Sequence, residues 1–400
     1  MNKPKQPIPL FKVYMNPSAK DAVCEVLDSG YIGQGPKVDK FEKQLGDYFG
    51  NKKVVTTNAG TSALHLALHL LKKPKPHWNE DVFQGVAWVS HNWPGIEDGD
   101  EVLATPLTCT ASNWPIVANN LKIKWVDIDP TTLNMDLEDL KRKMTPKTKV
   151  IMGVHWGGYP LDLDKIREIR SDFRKEHGWA PALIEDGAHS IGTKYKGKYL
   201  GNHGNFVMNS LQAIKHITSV DGGILYCPHE ELYERAKLLR WYGIDRNPKG
   251  RTDFRCEADI EEWGFKFHMN DVCAAVGMEN FKSIDVIIAK HKENALYYDL
   301  KLQNVEGVTL LKREKGFESA FWIYTLKVDD RPSFYKYMEE CKITVSQVHE
   351  RNDKHSCMDE FKTELPNLDK TIGNVVSIPV GWWVTEEERE YIVDCIRKWK

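Results

Sequence analysis

From residue 53 to residue 227, short apolar runs alternate with stretches of helical periodicity, and that rhythm leaves few folds open. "KVVTTNAGTSALHLALHLL" (53–71) reads as a strand, a tight turn through Asn58 to Thr61, and an apolar helix. "EVLATPLTCTASNWPIVANN" (101–120), "KIKWVDIDP" (122–130), "KVIMGVHWGG" (149–158) and "ALIEDGAHSIG" (182–192) continue the alternation. A strand followed by a helix returns its chain across a sheet face, so successive strands run parallel. The pattern predicts an α/β fold with a mostly parallel, mixed sheet flanked by helices. Ahead of it, "SAKDAVCEVLDSG" (18–30) predicts a helix ending at Gly30. "KVDKFEKQLGDYFG" (37–50) predicts a second, with Val38, Phe41, Leu45 and Phe49 on one stripe.

The rhythm changes near residue 271. "DVCAAVGMENFKSIDVIIAKHKENALYYDLKLQN" (271–304) predicts a long helical stretch with a break near Ser283. "AFWIYTLKVDD", "CKITVSQVHE" and a closing helix, "TEEEREYIVDCIRKWK", give an α+β tail. The expected division is a large α/β domain over 1–270 and a smaller α+β domain over 271–400. The connection 73–101, with Trp78, Trp88 and Trp93, is long for a surface loop. It reads either as a surface insertion packing its own aromatics, or as an oligomer contact or an aromatic wall of the site.

The formal net charge of −2, with both signs interspersed, excludes the basic stripe of a nucleic-acid binder. No apolar run is long enough to span a bilayer. The opening "MNKPKQPIPLFKVYM" holds too short an apolar segment for a signal peptide, so a cytoplasmic protein is expected. The eight cysteines form no C-x-x-C pair, so no metal site is expected.

Three stations could carry chemistry. In "NAGTSALHL", Gly60, Thr61 and Ser62 open a helix, where free N–H groups and the helix dipole favour a phosphate. Thr61 or Ser62 could equally be an ordinary N-cap. In "ALIEDGAHSIG", Asp186 ends an apolar run, where parallel sheets place ligands, and His189 follows. In "NSLQAIKHITSVDGGILYC" (209–227), Lys215 lies between an apolar run and a Gly-Gly step, with Ser210 just before it. If these converge, they form the set that pyridoxal 5'-phosphate needs. Its aldehyde takes an amine, its ring nitrogen a carboxylate, and its phosphate N–H and hydroxyl donors. A solvated lysine, a capping aspartate and a structural histidine are the alternatives.

Taken together, these stations resemble the DegT/DnrJ/EryC1/StrS family of pyridoxal-phosphate-dependent sugar aminotransferases, of fold type I. The resemblance runs over nearly the whole chain. It includes "IPLFKVYMNPSAKDAVCEVLDSGYIGQGPKVDKFEKQLGDYFG", "TTNAGTSALHLAL", "PLTCTASNWPIVANNLKIKWVDIDPTTLNMD", "LIEDGAHSIGTKYKGKYLG", "QAIKHITSVDGGILYC" and "WGFKFHMNDVCAAVGMEN".

The resemblance implies that Lys215 bonds the cofactor and shuttles a proton, and that Asp186 pairs with the pyridine nitrogen. It places His189 near the ring or its 3-hydroxyl, and Gly60, Thr61 and Ser210 on the phosphate. Lys266 stands where the family has an asparagine that reaches the phosphate of a partner subunit, which implies a homodimer with shared sites. Cys109 stands where the family often has a ring-stacking aromatic. A subclass with histidine in place of the lysine runs a dehydration; here the string reads Lys215-His216-Ile217-Thr218.

The expected activity is transfer of an amino group, from L-glutamate by resemblance, to C4 of a nucleotide-linked 4-keto-6-deoxyhexose in amino-sugar and polysaccharide (O-antigen) biosynthesis. A dehydratase or lyase on the same scaffold and a non-catalytic regulatory homologue are the competing readings. Arg246, Lys249 and Arg251 could meet the nucleotide diphosphate, or form a solvated face. His349, Arg351 and Asn352 could read sugar hydroxyls or a carboxylate.

Overall fold

The computed structural model describes residues 3–73, 93–246 and 259–399. Trp78, Trp88, Lys249 and Arg251 lie outside the described residues. Among the described residues, nine strands appear before residue 227: β1 (Val54–Thr57), β2 (Glu101–Ala104), β3 (Lys122–Trp125), β4 (Thr148–Val154), β5 (Ala182–Asp186), β6 (Lys194–Tyr195), β7 (Lys198–Tyr199), β8 (Phe206–Ser210) and β9 (Gly223–Tyr226). Seven of them form one sheet in the order β1-β9-β8-β5-β4-β2-β3. β3, β2, β4, β5 and β8 pair in parallel, while β9 runs antiparallel to both its neighbours, β8 and β1. The four residues of β1 and the five of both β5 and β8 are all buried, as two-sided helical cover requires.

The early helices form where their patterns place them. The helix Ala19–Ser29 ends on Gly30, whose φ of +72° is a left-handed cap. The helix Pro36–Phe49 buries Val38, Phe41, Leu45 and Phe49, the stripe read from the sequence. Its N-terminus is capped from afar. The Asp271 carboxylate accepts from the backbone N–H groups of Gly35, Lys37 and Val38 at 2.8, 3.1 and 3.1 Å.

Four further strands follow: β10 (Val308–Leu310), β11 (Phe317–Glu318), β12 (Tyr324–Val328) and β13 (Val375–Ile378). β10, β12 and β13 make an antiparallel sheet in the order β10-β12-β13, and β11 pairs with β6. The helices Asp271–Phe281 and Ile284–Lys301 meet at Ser283. Between them, these two helices pack against both sheets. Ala274, Phe281, Ile284 and Ile288 share an apolar cluster with the large sheet, whereas Ala295, Tyr298 and Leu302 pack with the small one. The second of these helices therefore spans both cores. Trp93, from the Trp-rich connection, is buried and meets Trp179 edge-on at 5.6 Å.

One buried ion pair ties the helix Glu230–Leu239 to the end of the helix Gly60–Leu70. Arg235 is fully buried and donates to Glu262 through Nε and Nη2, both at 2.7 Å, and through Nη1 to the Leu70 carbonyl at 2.7 Å. Burial alone would raise the Glu262 pKa, but hydrogen bonds from Arg235 and His69 outweigh it and hold the carboxyl down to about 2. Removing one partner strands the other charge in the interior, so Glu262→Ala should cost about 3–5 kcal/mol in urea unfolding. A double Arg235→Leu/Glu262→Leu variant should recover most of that loss. Because the folded pKa is depressed, the pair's contribution is complete above the ordinary glutamate pKa and disappears as pH falls from about 4.5 to about 2.

Candidate active site

Every station singled out in the sequence lies at the carboxyl edge of the parallel strands, where α/β sheets open a crevice. Asp186 ends β5 and Ser210 ends β8; Lys215 sits in the loop 211–222 that joins β8 to β9. That loop is closed by Leu211 N–H to the Gly222 carbonyl at 2.9 Å and Ser219 N–H to the Leu211 carbonyl at 3.0 Å. The Gly-Gly step after it has a steric cause. A Cβ on Gly223 would fall 2.5 Å from both the Ala59 carbonyl oxygen and the Thr57 hydroxyl, so only hydrogen lets β9 approach β1 and the turn beyond it.

That turn leads into the helix Gly60–Leu70. Its N-cap is Ala59, whose methyl cannot cap, and no side chain takes the role. Thr61 and Ser62 are therefore not the N-cap, and the first-turn N–H groups remain as donors at the positive end of a dipole. Gly60 presses against β8: a Cβ there would lie 3.0 Å from Met208 Sδ and 3.5 Å from Ser210 Oγ. Ser210 thus stands beside the helix start, and Thr61 is exposed there.

Asp186 is buried. Its Oδ2 accepts from Ser112 Oγ at 2.5 Å and its Oδ1 from Ala188 N–H at 2.9 Å. Burial pushes its pKa up, opposed by these hydrogen bonds and by the charge of Lys215. The adjacent Glu185 is spent elsewhere, on His155 Nε2 at 3.0 Å and Asn205 Nδ2 at 2.7 Å. Alternation along β5 leaves Asp186 as the acid of this crevice. Burial lowers the Lys215 pKa to about 8, with Asp186 and Cys109 pulling the other way.

His189 accepts from Gly157 N–H through Nδ1 at 3.3 Å, so its proton resides on Nε2, which faces His349 Nε2 at 3.2 Å. Burial drives both imidazoles well below the usual histidine range, His349 to about 3, and the charge on Lys215 adds to it. Both rings are neutral at pH 7.

His349 and Asn352 reach this centre from the C-terminal part. Asn352 donates to the Cys109 carbonyl through Nδ2 at 3.3 Å. The Arg351 guanidinium is held by Asp353, at 2.8 and 2.6 Å, and by Asp369. Arg246 and Lys266 share the ring of Trp241, with Cζ at 4.4 Å and Nζ at 4.6 Å from its centroid, and Arg246 also donates to the Gln34 carbonyl at 3.0 Å. Lys266 is exposed, and its carbonyl accepts from Asn58 Nδ2, two residues before the helix Gly60–Leu70, at 3.3 Å.

Two site residues escaped the sequence reading. Ser112 lies one turn past Cys109, a spacing that could have suggested it. Trp322 comes from "AFWIYTLKVDD", a stretch read only as part of the α+β tail. Its ring stacks on His189 at 4.0 Å, and Lys215 Nζ lies 3.6 Å from its centroid.

The donor set fits pyridoxal 5'-phosphate. It offers a depressed-pKa amine, a buried carboxylate able to hold a proton on a ring nitrogen, and an uncapped helix start beside a serine hydroxyl. Among the described residues, no cluster of His, Cys, Asp and Glu could hold a metal ion.

Comparison with known proteins agrees with this chemistry. The model of the DegT/DnrJ/EryC1/StrS aminotransferase family matches residues 14–77 and 87–397. The crystal structure of AtS13 from Actinomadura melliaura is 46% identical, with a TM-score of 0.90 over 98% of this chain and 99% of that one. The sugar aminotransferase CalS13 from Micromonospora echinospora is 41% identical, with a TM-score of 0.89 over 98% and 99%. The UDP-4-amino-4-deoxy-L-arabinose–oxoglutarate aminotransferase of Shewanella sediminis is 28% identical over 93% of each chain.

The lowered pKa of Lys215 has a direct readout. Acylation of the full-length apoprotein, followed by peptide mass mapping, should give Lys215 a pH midpoint near 8. Exposed lysines should titrate near the model-peptide value of about 10.4.

Proposed function

The chain belongs to the DegT/DnrJ/EryC1/StrS aminotransferase family and is a sugar aminotransferase, and from that premise we propose that it carries an amino group from L-glutamate to C4 of a nucleotide-linked 4-keto-6-deoxyhexose. The observation that carries the reading is Lys215, a buried amine with a lowered pKa, coupled to the buried Asp186 at the mouth of the sheet. The family depends on pyridoxal phosphate. When bound, that cofactor supplies an electron sink for the carbanion left when the donor's Cα loses its proton.

The chain's own residues do the rest. The first-turn N–H groups of Gly60, Thr61 and Ser62 and the Ser210 hydroxyl bind the phosphate. Asp186, oriented by Ser112 and Ala188, holds a proton on the ring nitrogen. Lys215, neutral in part at working pH, moves the proton between the donor's Cα and the cofactor's C4'. His189 keeps its proton on Nε2, towards His349, and so presents a fixed neutral imidazole beside the reacting centre.

The amine at position 215 supports transamination over dehydration, because a lysine can bond the aldehyde and a histidine cannot. The name of the Shewanella relative, which pairs a 4-amino sugar nucleotide with oxoglutarate, supports both the C4 position and a glutamate donor. Arg246, Lys249 and Arg251 would meet the diphosphate, and His349, Arg351 and Asn352 the sugar or the donor carboxylate. For Arg351 this requires release from Asp353 and Asp369. The proposal includes a cytoplasmic homodimer in which Lys266 of each subunit approaches the other's phosphate, acting in amino-sugar and polysaccharide biosynthesis.

L-Glutamate should bleach the visible band of the cofactor-loaded protein, and a nucleoside-diphosphate 4-keto-6-deoxyhexose should restore it, with the amino sugar detected by mass. Borohydride should fix the pyridoxyl group on Lys215. Lys215→Ala should lose the band and lower kcat/KM by about 10²–10⁴-fold or more. Absence of bleaching by any amino acid would point to the regulatory homologue, and loss of water from the sugar without an amine to the dehydratase.

A further inference from the structure

We propose that Trp322 is a positioning residue for Lys215, the tongue of a clamp by which the segment 319–322 grips the lysine loop on both sides of the reactive residue. The inference rests on the role given to Lys215 above and adds to it what aims the ε-amine.

The grip is made of four contacts. Trp322 Nε1–H donates to the carbonyl of Ile214, the residue before Lys215, at 2.9 Å. His216, the residue after it, meets the carbonyl of Ala320 through Nε2 at 3.0 Å. His291, from the helix Ile284–Lys301, meets the carbonyl of Phe321 through Nδ1 at 2.8 Å. A carbonyl only accepts, so His216 carries its proton on Nε2 and His291 on Nδ1. Between these anchors Lys215 Nζ rests 3.6 Å from the centroid of the Trp322 ring, while that ring stacks on His189 at 4.0 Å and on Phe11 at 5.1 Å.

Two further facts show that the clamp is specified. Phe321 has a φ of +52°, a left-handed conformation that is costly for a bulky residue. The two histidine-held carbonyls keep the backbone there, and that bend delivers Trp322 to the lysine. In addition, the other ring nitrogens, His216 Nδ1 and His291 Nε2, are buried without a partner, and the two rings lie 4.7 Å apart. Each of these imidazoles thus makes its one hydrogen bond to the segment 319–322. Trp322 is only 2% exposed, so its ring packs on the lysine and leaves little surface for a sugar.

The test separates aim from binding. Trp322→Phe keeps a stacking ring and removes the N–H to Ile214. On mixing with pyridoxal 5'-phosphate, the Lys215 amine condenses with the aldehyde and one water leaves; growth of the visible band reports that step. In Trp322→Phe this growth and kcat should fall on the order of 10- to 100-fold, the cost of a misplaced reacting group. The KM for L-glutamate and the affinity for pyridoxamine 5'-phosphate, which forms no bond to the lysine, should stay within about twofold.

The second variant pair covers a Trp322→Phe protein that does not fold. His216→Leu should slow band growth similarly, and His216→Gln, whose amide nitrogen can replace Nε2, should recover most of the rate. Trp322→Phe or His216→Leu bonding the cofactor at the wild-type rate overturns the proposal. So does a loss of pyridoxamine phosphate affinity matching the loss of rate, which would mark a packing role alone. A wild-type protein that forms no band would instead sink the reading of Lys215 itself.

Discussion

Removing one amine from water is the event on which this site turns. An exposed lysine is a hydrated ammonium that can neither attack a carbonyl nor accept a proton at neutral pH. Burial takes away the water that stabilises the charge and brings the Lys215 pKa down to about 8. Asp186 and Cys109 oppose this without reversing it. The same desolvation raises Asp186 and empties His189 and His349 of charge. The crevice therefore sets an amine able to exchange a proton near neutral pH beside two imidazoles that stay neutral.

The architecture supplies that dryness with short-range devices. Gly223 lets β9 close against the turn after β1, and Gly60 lets the cradle helix press on β8. Ser112 and Ala188 fix the carboxylate, and the pairing of Glu185 with His155 and Asn205 removes the neighbouring acid from competition. Each device is a local steric or hydrogen-bonding fact, and together they bring groups from positions 60 to 352 to one place.

The α/β architecture could be read from periodicity because strands buried on both faces are apolar runs and their covering helices carry an apolar stripe. Val38, Phe41, Leu45 and Phe49 illustrate this. Asp186 stood out as an acid closing an apolar run, with a turn cap as the equal alternative, and its Oδ1 does accept from Ala188 N–H while Oδ2 accepts from Ser112. What escaped depends on contacts between distant residues. The cap of the helix Pro36–Phe49 comes from Asp271, more than two hundred positions away. Trp322 could not be told from any strand aromatic, because its place follows from a left-handed turn at Phe321, which side-chain type does not announce. The N-cap reading of Thr61 or Ser62 failed for the opposite reason: propensity favours those residues as caps, and here the N-cap is Ala59, two and three residues earlier.

The edge strand β1, whose last residue, Thr57, also bridges His268, pairs with β9, joining residues 54–57 to residues 223–226. Everything between them must be synthesised before that pairing can form, which makes it among the most non-local in the sheet. On the ribosome β1 would wait for this ladder until the strand that follows the Lys215 loop emerges. The turn after β1 and the loop that carries Lys215 are consequently locked side by side only once residue 226 has been made.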